Sequence, residues 1–493
     1  MPPASSAHTA EIIVIGGGTS GAAVAARLAE AGVKVILVEA GPDYGPFGDS
    51  RWPADLLNAH ALATSHDWRY GSGPVEGRAP WTFERARVIG GCSAHNGAIA
   101  AVGHHSDYDA WNLPGWRTAD LRPVFATVIE KLRVRTYAVS EVGPFHERCL
   151  EATAACGWPM AEDLCDLDAN QSYGRESVNI VNKVRWNSAF AYLDPVRQLK
   201  NFRIVDRTIT DTVVESNTGV KVTGWRDGQR VEFAAERVVL CAGVYGTPAI
   251  LQRSGIGDPA RLREAGVAPI HDLPGTGTNL HDHPIVHADR VIGPELQRWL
   301  DAAAASGMLP EEQTLGKACS SLADGIFDMH IFPVCASTQT VLTNGRALME
   351  VACVTPRSRG RLDIVSEDPE AAPRMDHRYL TDADDHDITV LRDGLVLAEE
   401  LLASPALASV LGKPVTDVST DALIRQHVLH YYHPVGTCKM GHGPDAVTDE
   451  RGRVHGLNRI TVGDVSLMPQ IPRANTNIPA AVIGERIAQE LLV

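Results

Sequence analysis

Ile12-Ile13-Val14-Ile15-Gly16-Gly17-Gly18-Thr19-Ser20-Gly21 is the stretch that decides the fold of this 493-residue chain. The four leading apolar residues read as a short buried strand. Ala22 to Glu30, which follows, is alanine-rich and strongly helical, with Gly32 as its stop. Val35-Ile36-Leu37-Val38 is a second apolar strand. Strand, helix and strand within about thirty residues is the size of a βαβ crossover in a parallel sheet. Gly16 to Gly21 satisfies GxGxxG at the first junction, where glycine permits the tight turn and lets backbone approach a pyrophosphate. The helix N-terminus then offers free N–H groups to the phosphate charge. Expected contacts are Gly16, Gly18, Thr19, Ser20 and Gly21 on the phosphates, with Glu39 and Ala40 at the end of the second strand on the ribose side. The motif alone does not choose between FAD and NAD.

The rest of the chain is consistent with a large enzyme built around that unit. The length allows two or three domains, each with its own core. A net charge of −15 argues against nucleic acid or an anionic membrane surface as a partner. Nine scattered cysteines, with no CxxC pair, point to reduced thiols and to no metal site. The first ten residues lack the pattern of a signal peptide, and no apolar run reaches the roughly 18 residues of a membrane span. The expected location is therefore cytoplasmic. From Phe202 to Leu240 the pattern is β-rich, as it is near Met329 to Val334 and from Ala347 to Val365. Asp387 to Ala403 and Ile478 to Leu492 read as helices. Cofactor-type motifs at both ends suggest domains that interleave rather than follow in series.

Further motifs carry a family resemblance. Ala86-Arg87-Val88-Ile89-Gly90-Gly91-Cys92-Ser93-Ala94-His95-Asn96-Gly97 closely resembles the first signature of the glucose–methanol–choline oxidoreductases, and Gly243 to Gly257 resembles the second. Thr278 to Pro284 looks like the family's NLxDHP turn, and Gly360 to Leu380 like its substrate-domain hairpin. Tyr432 to Gly441, Gly463 to Ser466 and Asn475 to Pro479 resemble its C-terminal catalytic block. The matches run in the family's order over nearly the whole chain.

The resemblance implies an α/β plus α+β fold: a Rossmann-type FAD-binding domain interleaved with a substrate domain that contains an antiparallel sheet. The FAD domain is expected from 1–150, 203–284 and 428–493, and the substrate domain from 151–202 and 285–427. Arg87, Gly91, His95, Asn96, Gly97, Thr210, Ala242, Asp464, Asn477 and Pro479 join the expected FAD contacts. His433 matches the family's catalytic histidine, and Asn475 its histidine-or-asparagine partner. A histidine with an ordinary pKa of about 6.5 suits removal of a hydroxyl proton, while an amide N–H suits holding the oxygen. His95 occupies the position at which choline-oxidising members of the family bond covalently to the flavin 8α-methyl, so His95 is the expected tether.

Two departures bear on the substrate. Those members carry a glutamate after the DHP turn, where this chain has Ile285. Only Trp52, at a longer spacing from Asp67-Trp68, is available to match their cage tryptophan. A quaternary cation loses its main attractions without these groups, so a neutral primary alcohol is expected instead. Gly97 leaves room beside the flavin. The expected reaction is FAD-dependent oxidation of the alcohol to an aldehyde, with hydride transfer to flavin N5 and molecular oxygen as acceptor. The alternatives are a dehydrogenase that uses another electron acceptor and a non-redox hydroxynitrile lyase that keeps FAD. Which alcohol is used and the oligomeric state stay open.

Overall fold

The strand His8–Ile15 runs through the middle of a seven-stranded sheet ordered Phe202–Val205, Val35–Val38, His8–Ile15, Gln229–Leu240, Gly219–Arg226, Thr208–Ser216. Ile460–Val462 also pairs with Gln229–Leu240, and the pairings around His8–Ile15 are parallel, with Ile12 opposite both Val35 and Arg237. The computed structural model describes residues 8–72, 81–307, 310–337, 340 and 343–493. Residues 1–7 and 73–80, part of the expected 1–150 segment, lie outside the described residues. Val35–Val38 is buried on both faces and continuously apolar, as are Ile12 to Ile15 and Val238 to Leu240 beside it, which suits a parallel sheet. Gly219–Arg226 and Thr208–Ser216 leave the parallel pattern as an antiparallel extension.

The helix Thr19–Glu30 follows the glycine turn, and the helix Asn477–Leu492 packs along it. Small residues allow the close approach: a Cβ on Gly484 would lie 2.4 Å from Ser20 O. Ser20 Oγ donates to Ala480 O at 2.7 Å, and Arg27 Nε pairs with Glu485 at 2.7 Å. The sequence places this helix from Ile478 to Leu492, one residue short of its observed start.

The second sheet has eight strands, ordered Leu411–Pro414, Pro284–Ile292, Arg346–Cys353, Met329–Val334, Thr314–Ala318, Ser172–Arg175, Met160–Ala161, with Leu429–His430 also on Pro284–Ile292. All its pairings are antiparallel except that between Met160–Ala161 and Ser172–Arg175. Register divides its side chains between two faces. Val286, Ile331, Met349 and Val351 pack under the helices His386–Leu402, Pro144–Ala155 and Pro294–Ser306. The opposite face carries Ile285, Leu315, Phe332 and Ala352, in one cluster with Tyr431. Ile285 lies opposite Ala352, His287 opposite Glu350, Glu350 opposite Phe332, and Ala352 opposite His330, so these polar residues share that second face.

Core membership differs from the sequence-based segments at two places. Trp186 to Val196, within 151–202, packs into the core of the parallel sheet. Phe145, Cys149 and Ala152, from 1–150, pack into the core beneath the antiparallel sheet. Both segments lie at connections where local pattern carries no record of which core they join. No helix among the described residues is long and apolar enough to cross a membrane.

Candidate active site

The glycine loop and the first signature are built against one another. Gly90 N donates to Gly17 O at 2.8 Å, and Gly91, at φ +53°, faces Gly18 so closely that a Cβ on it would lie 2.6 Å from Gly18 Cα. Gly16, at φ +99°, sits against Cys241, whose O would be 2.3 Å from an added Cβ. Gly18 is the N-cap of the Thr19–Glu30 helix and supplies no side-chain cap, so the first-turn N–H groups are free for a phosphate. Thr19 Oγ1 donates to Asn477 Oδ1 at 3.3 Å, which brings the N-termini of two helices to one place. Asn477 Nδ2 is buried without a partner and points to an acceptor that the protein does not supply. These features fit the pyrophosphate of a dinucleotide.

Other expected FAD contacts surround this centre. Glu39 accepts from Gly17 N and Gly41 N, each at 2.7 Å, so its carboxylate fixes the loop. Ala40 and Arg87 line a cavity of about 1020 Å³, as do Ile209 and Asp211, the neighbours of Thr210. Ala242 is the N-cap of the helix Gly243–Arg253, and Asp464 accepts from Gly243 N at 2.8 Å, Thr247 Oγ1 at 2.5 Å and Ser466 N at 2.8 Å. Asp464 therefore ties that helix start to the Gly463 turn. Pro479 is buried in the first turn of the Asn477–Leu492 helix. Asn96 Oδ1 accepts from Ala98 N at 3.0 Å, and a Cβ on Gly97 would meet nothing nearer than 3.9 Å, which is the open space expected there.

His95 is buried, with Nε2 2.8 Å from Ser65 O. A carbonyl accepts only, so Nε2 carries the proton and Nδ1 keeps the lone pair. Burial pushes the pKa down, which keeps the ring neutral. Trp52 does not reach a substrate cage: its ring packs 4.8 Å from Phe190, and Nε1 donates to Gly45 O at 3.1 Å within the core of the parallel sheet.

The residues expected to be catalytic converge on the second face of the antiparallel sheet. His433 N donates to Asp282 Oδ1 at 2.9 Å, and His433 Nδ1 lies 3.2 Å from His283 Nδ1. The carbonyls of Pro472 and Val354 face His283. One of the two facing Nδ1 atoms carries the proton they share; with that proton on His433, its Nε2 keeps the lone pair. Burial, with the nearby His283 and Arg85, holds the His433 pKa well below its ordinary value. Asn475 stands on the loop that also faces His283 and His330, and its side chain lies beside the Tyr431 hydroxyl. Its buried Oδ1 has no partner. The Tyr431 ring is 4.3 Å from that of His433 and stacks on Phe332 at 5.0 Å.

Sequence reasoning did not single out His283, His330 or Tyr431. The available signal was parity: His330 is a polar residue within an otherwise apolar strand. Asp282 is also structural to the site. It accepts from the backbones of His283 and His433 and from the Tyr379 hydroxyl at 2.9 Å. Elsewhere, ligand atoms of Cys353, His386 and Asp387 lie within 4.8 Å of one another. Asp387, however, is already engaged by Arg357 N and Ser358 N, as a structural clasp would be.

Comparison with known proteins agrees with this architecture. Models of the GMC oxidoreductase family match residues 10–285 and 356–484. An oxygen-dependent choline dehydrogenase of Chromohalobacter salexigens is 31% identical, covering 98% of this chain and 94% of its own. One from Paraburkholderia xenovorans is 30% identical over 98% and 94%. Among solved structures, pyridoxine 4-oxidase from Mesorbium loti superposes with a TM-score of 0.85 at 25% identity, over 97% of this chain and 98% of that one. A formate oxidase of Aspergillus oryzae shares the fold at TM-score 0.85 and 21% identity, over 99% of each chain. The chain belongs to the GMC oxidoreductase family and is an FAD-dependent alcohol oxidoreductase.

Proposed function

We propose that the protein oxidises a primary alcohol to its aldehyde, with His433 as the base and oxygen as the electron acceptor. The observation that carries the reading is the buried, neutral His433, whose Nδ1 is occupied by His283 at 3.2 Å, so that Nε2 is the nitrogen left to meet a substrate. Asn475 lies beside Tyr431, whose ring is against His433; the orphaned atom is its acceptor Oδ1, so turning its N–H to the hydroxyl oxygen of a substrate takes a flip of the amide. As Nε2 takes the hydroxyl proton, the ring becomes an imidazolium, and His283 Nδ1 accepts its other N–H. Asp282 keeps the ring in place through the His433 backbone. FAD, when bound, would supply the hydride acceptor, its N5. The glycine loop, Glu39, Arg87, Asp464 and Asn477 would hold the cofactor, and His95 would tether its 8α-methyl carbon.

Tethering is supported by the neutral, buried His95 ring, whose Nδ1 is free. Oxygen as acceptor is favoured by relatives whose names describe oxygen-dependent dehydrogenases and oxidases. The neutral substrate expected from Ile285 is less well supported, since buried carboxyls lie beside Tyr431. Mixing the purified enzyme anaerobically with a panel of alcohols, and then admitting air, tests the reading. Bleaching of the flavin followed by recolouring with peroxide is expected. A dithionite-reducible flavin that no alcohol bleaches would overturn it in favour of the lyase reading.

A further inference from the structure

Two carboxyl groups near the catalytic histidine have no counter-charge among the described residues. Glu176 follows the strand Ser172–Arg175 and Glu312 precedes the strand Thr314–Ala318; these strands pair in register, and Glu176 N donates to Gln313 O at 2.9 Å. Glu176 is 1% exposed, and among the described residues its carboxyl meets no donor except the carboxyl of Glu312, with which it can share a proton. Glu312 Oε1 is buried as well, with no other partner among the described residues. Burying carboxylates without donors is costly, and a site that retains them is incomplete until donors arrive. Burial pushes both groups up, Glu312 to about 7, and the two act on each other; no cation is among the groups that act on either. Nearby charged groups are already committed. Glu350 has His287 at 3.6 Å, and Lys317 Nζ donates to Leu164 O at 3.0 Å.

A separate observation links this pair to the chemistry. Tyr431 is 5% exposed and its hydroxyl lies beside Asn475, while its ring lies against His433. The charges of Glu312 and Glu176 are the strongest that act on that hydroxyl. Tyr431 thus links the acid pair to the imidazole of His433. Phe332 and Leu315, on the same sheet face, supply apolar surface for a short carbon chain.

Resting on the alcohol oxidation proposed above, we propose that Glu176 and Glu312 receive the protonated primary or secondary amine of an amino-alcohol substrate whose hydroxyl-bearing carbon lies at His433. An ammonium N–H supplies the donors that these oxygens lack. A trimethylammonium has none and depends on an aromatic enclosure instead.

The test is anaerobic reduction of the FAD-loaded enzyme by three sets of substrates: short ω-amino alcohols, n-alkanols of matching length, and choline. Second-order rate constants are read from flavin absorbance near neutral pH. The best amino alcohol should exceed its matched alkanol by about 100-fold or more, the scale on which a buried charge loses its partner. Choline should fall with the alkanols. Glu176→Gln and Glu312→Gln should each reduce the amine-to-alkanol ratio at least tenfold, the alkanol rate serving as the internal control for folding. An alkanol within tenfold of its amino alcohol, choline as good as the amines, or a ratio unmoved in both variants would overturn the assignment. Reduction by alkanols without the preference sinks this assignment and leaves the oxidation reading standing. A flavin reduced by dithionite and by none of the alcohols sinks both.

Discussion

Replacing Asp282 by asparagine removes a buried charge from behind His433 while keeping an acceptor in place. In the native site Oδ1 accepts from His433 N at 2.9 Å and His283 N at 2.8 Å, and Oδ2 accepts from the Tyr379 hydroxyl at 2.9 Å. Burial raises the carboxyl from its ordinary 3.8 to about 6, against the opposing pull of Arg85 and of these donors. At about 1.4 kcal/mol per pH unit, that is on the order of 3 kcal/mol against the ionised form. Between roughly pH 4 and 6 the unfolded chain has released this proton and the folded chain has not, so raising the pH favours unfolding. Asparagine escapes that penalty but turns an N–H toward Tyr379, a loss of roughly 1 kcal/mol at every pH. The native protein should be the more stable by about 1 kcal/mol near pH 4, and the variant by about 2 kcal/mol above pH 7. Urea unfolding of both holoenzymes across this range, followed by tryptophan fluorescence, should give stability curves that cross near about pH 5. Parallel curves, or a variant that loses ground as pH rises, would refute the assignment of a burial-raised carboxyl. Asp282→Ala orphans all three donors at about 1–3 kcal/mol each, a sum that approaches the stability of a whole domain, and should not yield folded holoenzyme.

Four further outcomes are expected. His433→Ala should slow flavin reduction by about 10²- to 10⁴-fold with little change in FAD content, as stopped-flow absorbance would show. Because His433 stays neutral well below its ordinary range, native kcat/KM should show no acid limb from this residue between about pH 6.5 and 8; a limb that disappears in the variant would contradict this. Acid precipitation should leave the yellow colour in the pellet of the native enzyme and release it from His95→Ala. Gly91→Ala, which forces a Cβ to within 2.6 Å of Gly18 Cα at φ +53°, should be recovered with little flavin, measured as the ratio of visible to ultraviolet absorbance.

The dinucleotide unit was legible because its signals are local. The Ile12–Ile15 strand, the glycine spacing and the alanine-rich helix each declare themselves within about a turn or a strand of sequence. Met329–Val334 was legible for the same reason, and the helix expected from Asp387 to Ala403 is found at His386–Leu402. His433 and Asn475 were reachable only through resemblance to a family, since neither has a local signature of chemistry. The partners of His433 were not legible. His283 meets it from 150 residues away, and Tyr431 and Glu176 acquire their meaning from the register between strands, which one sequence does not display. Trp52 shows the opposite failure: a suggestive residue type whose neighbours, Phe190 and Tyr44, claim it for the core.

The meeting of Thr19 with Asn477 has a consequence for how the protein is made. The two residues are separated by 458 positions. At about 5 to 20 residues per second, a ribosome reaches the second some 20 to 90 seconds after the first. Throughout that interval the Thr19–Glu30 helix lacks the neighbour against which its small residues pack, and the anion site has only one of its two helix ends. Tight retention of FAD must therefore come late in synthesis, and an N-terminal fragment that contains the whole glycine motif is not a flavoprotein in miniature.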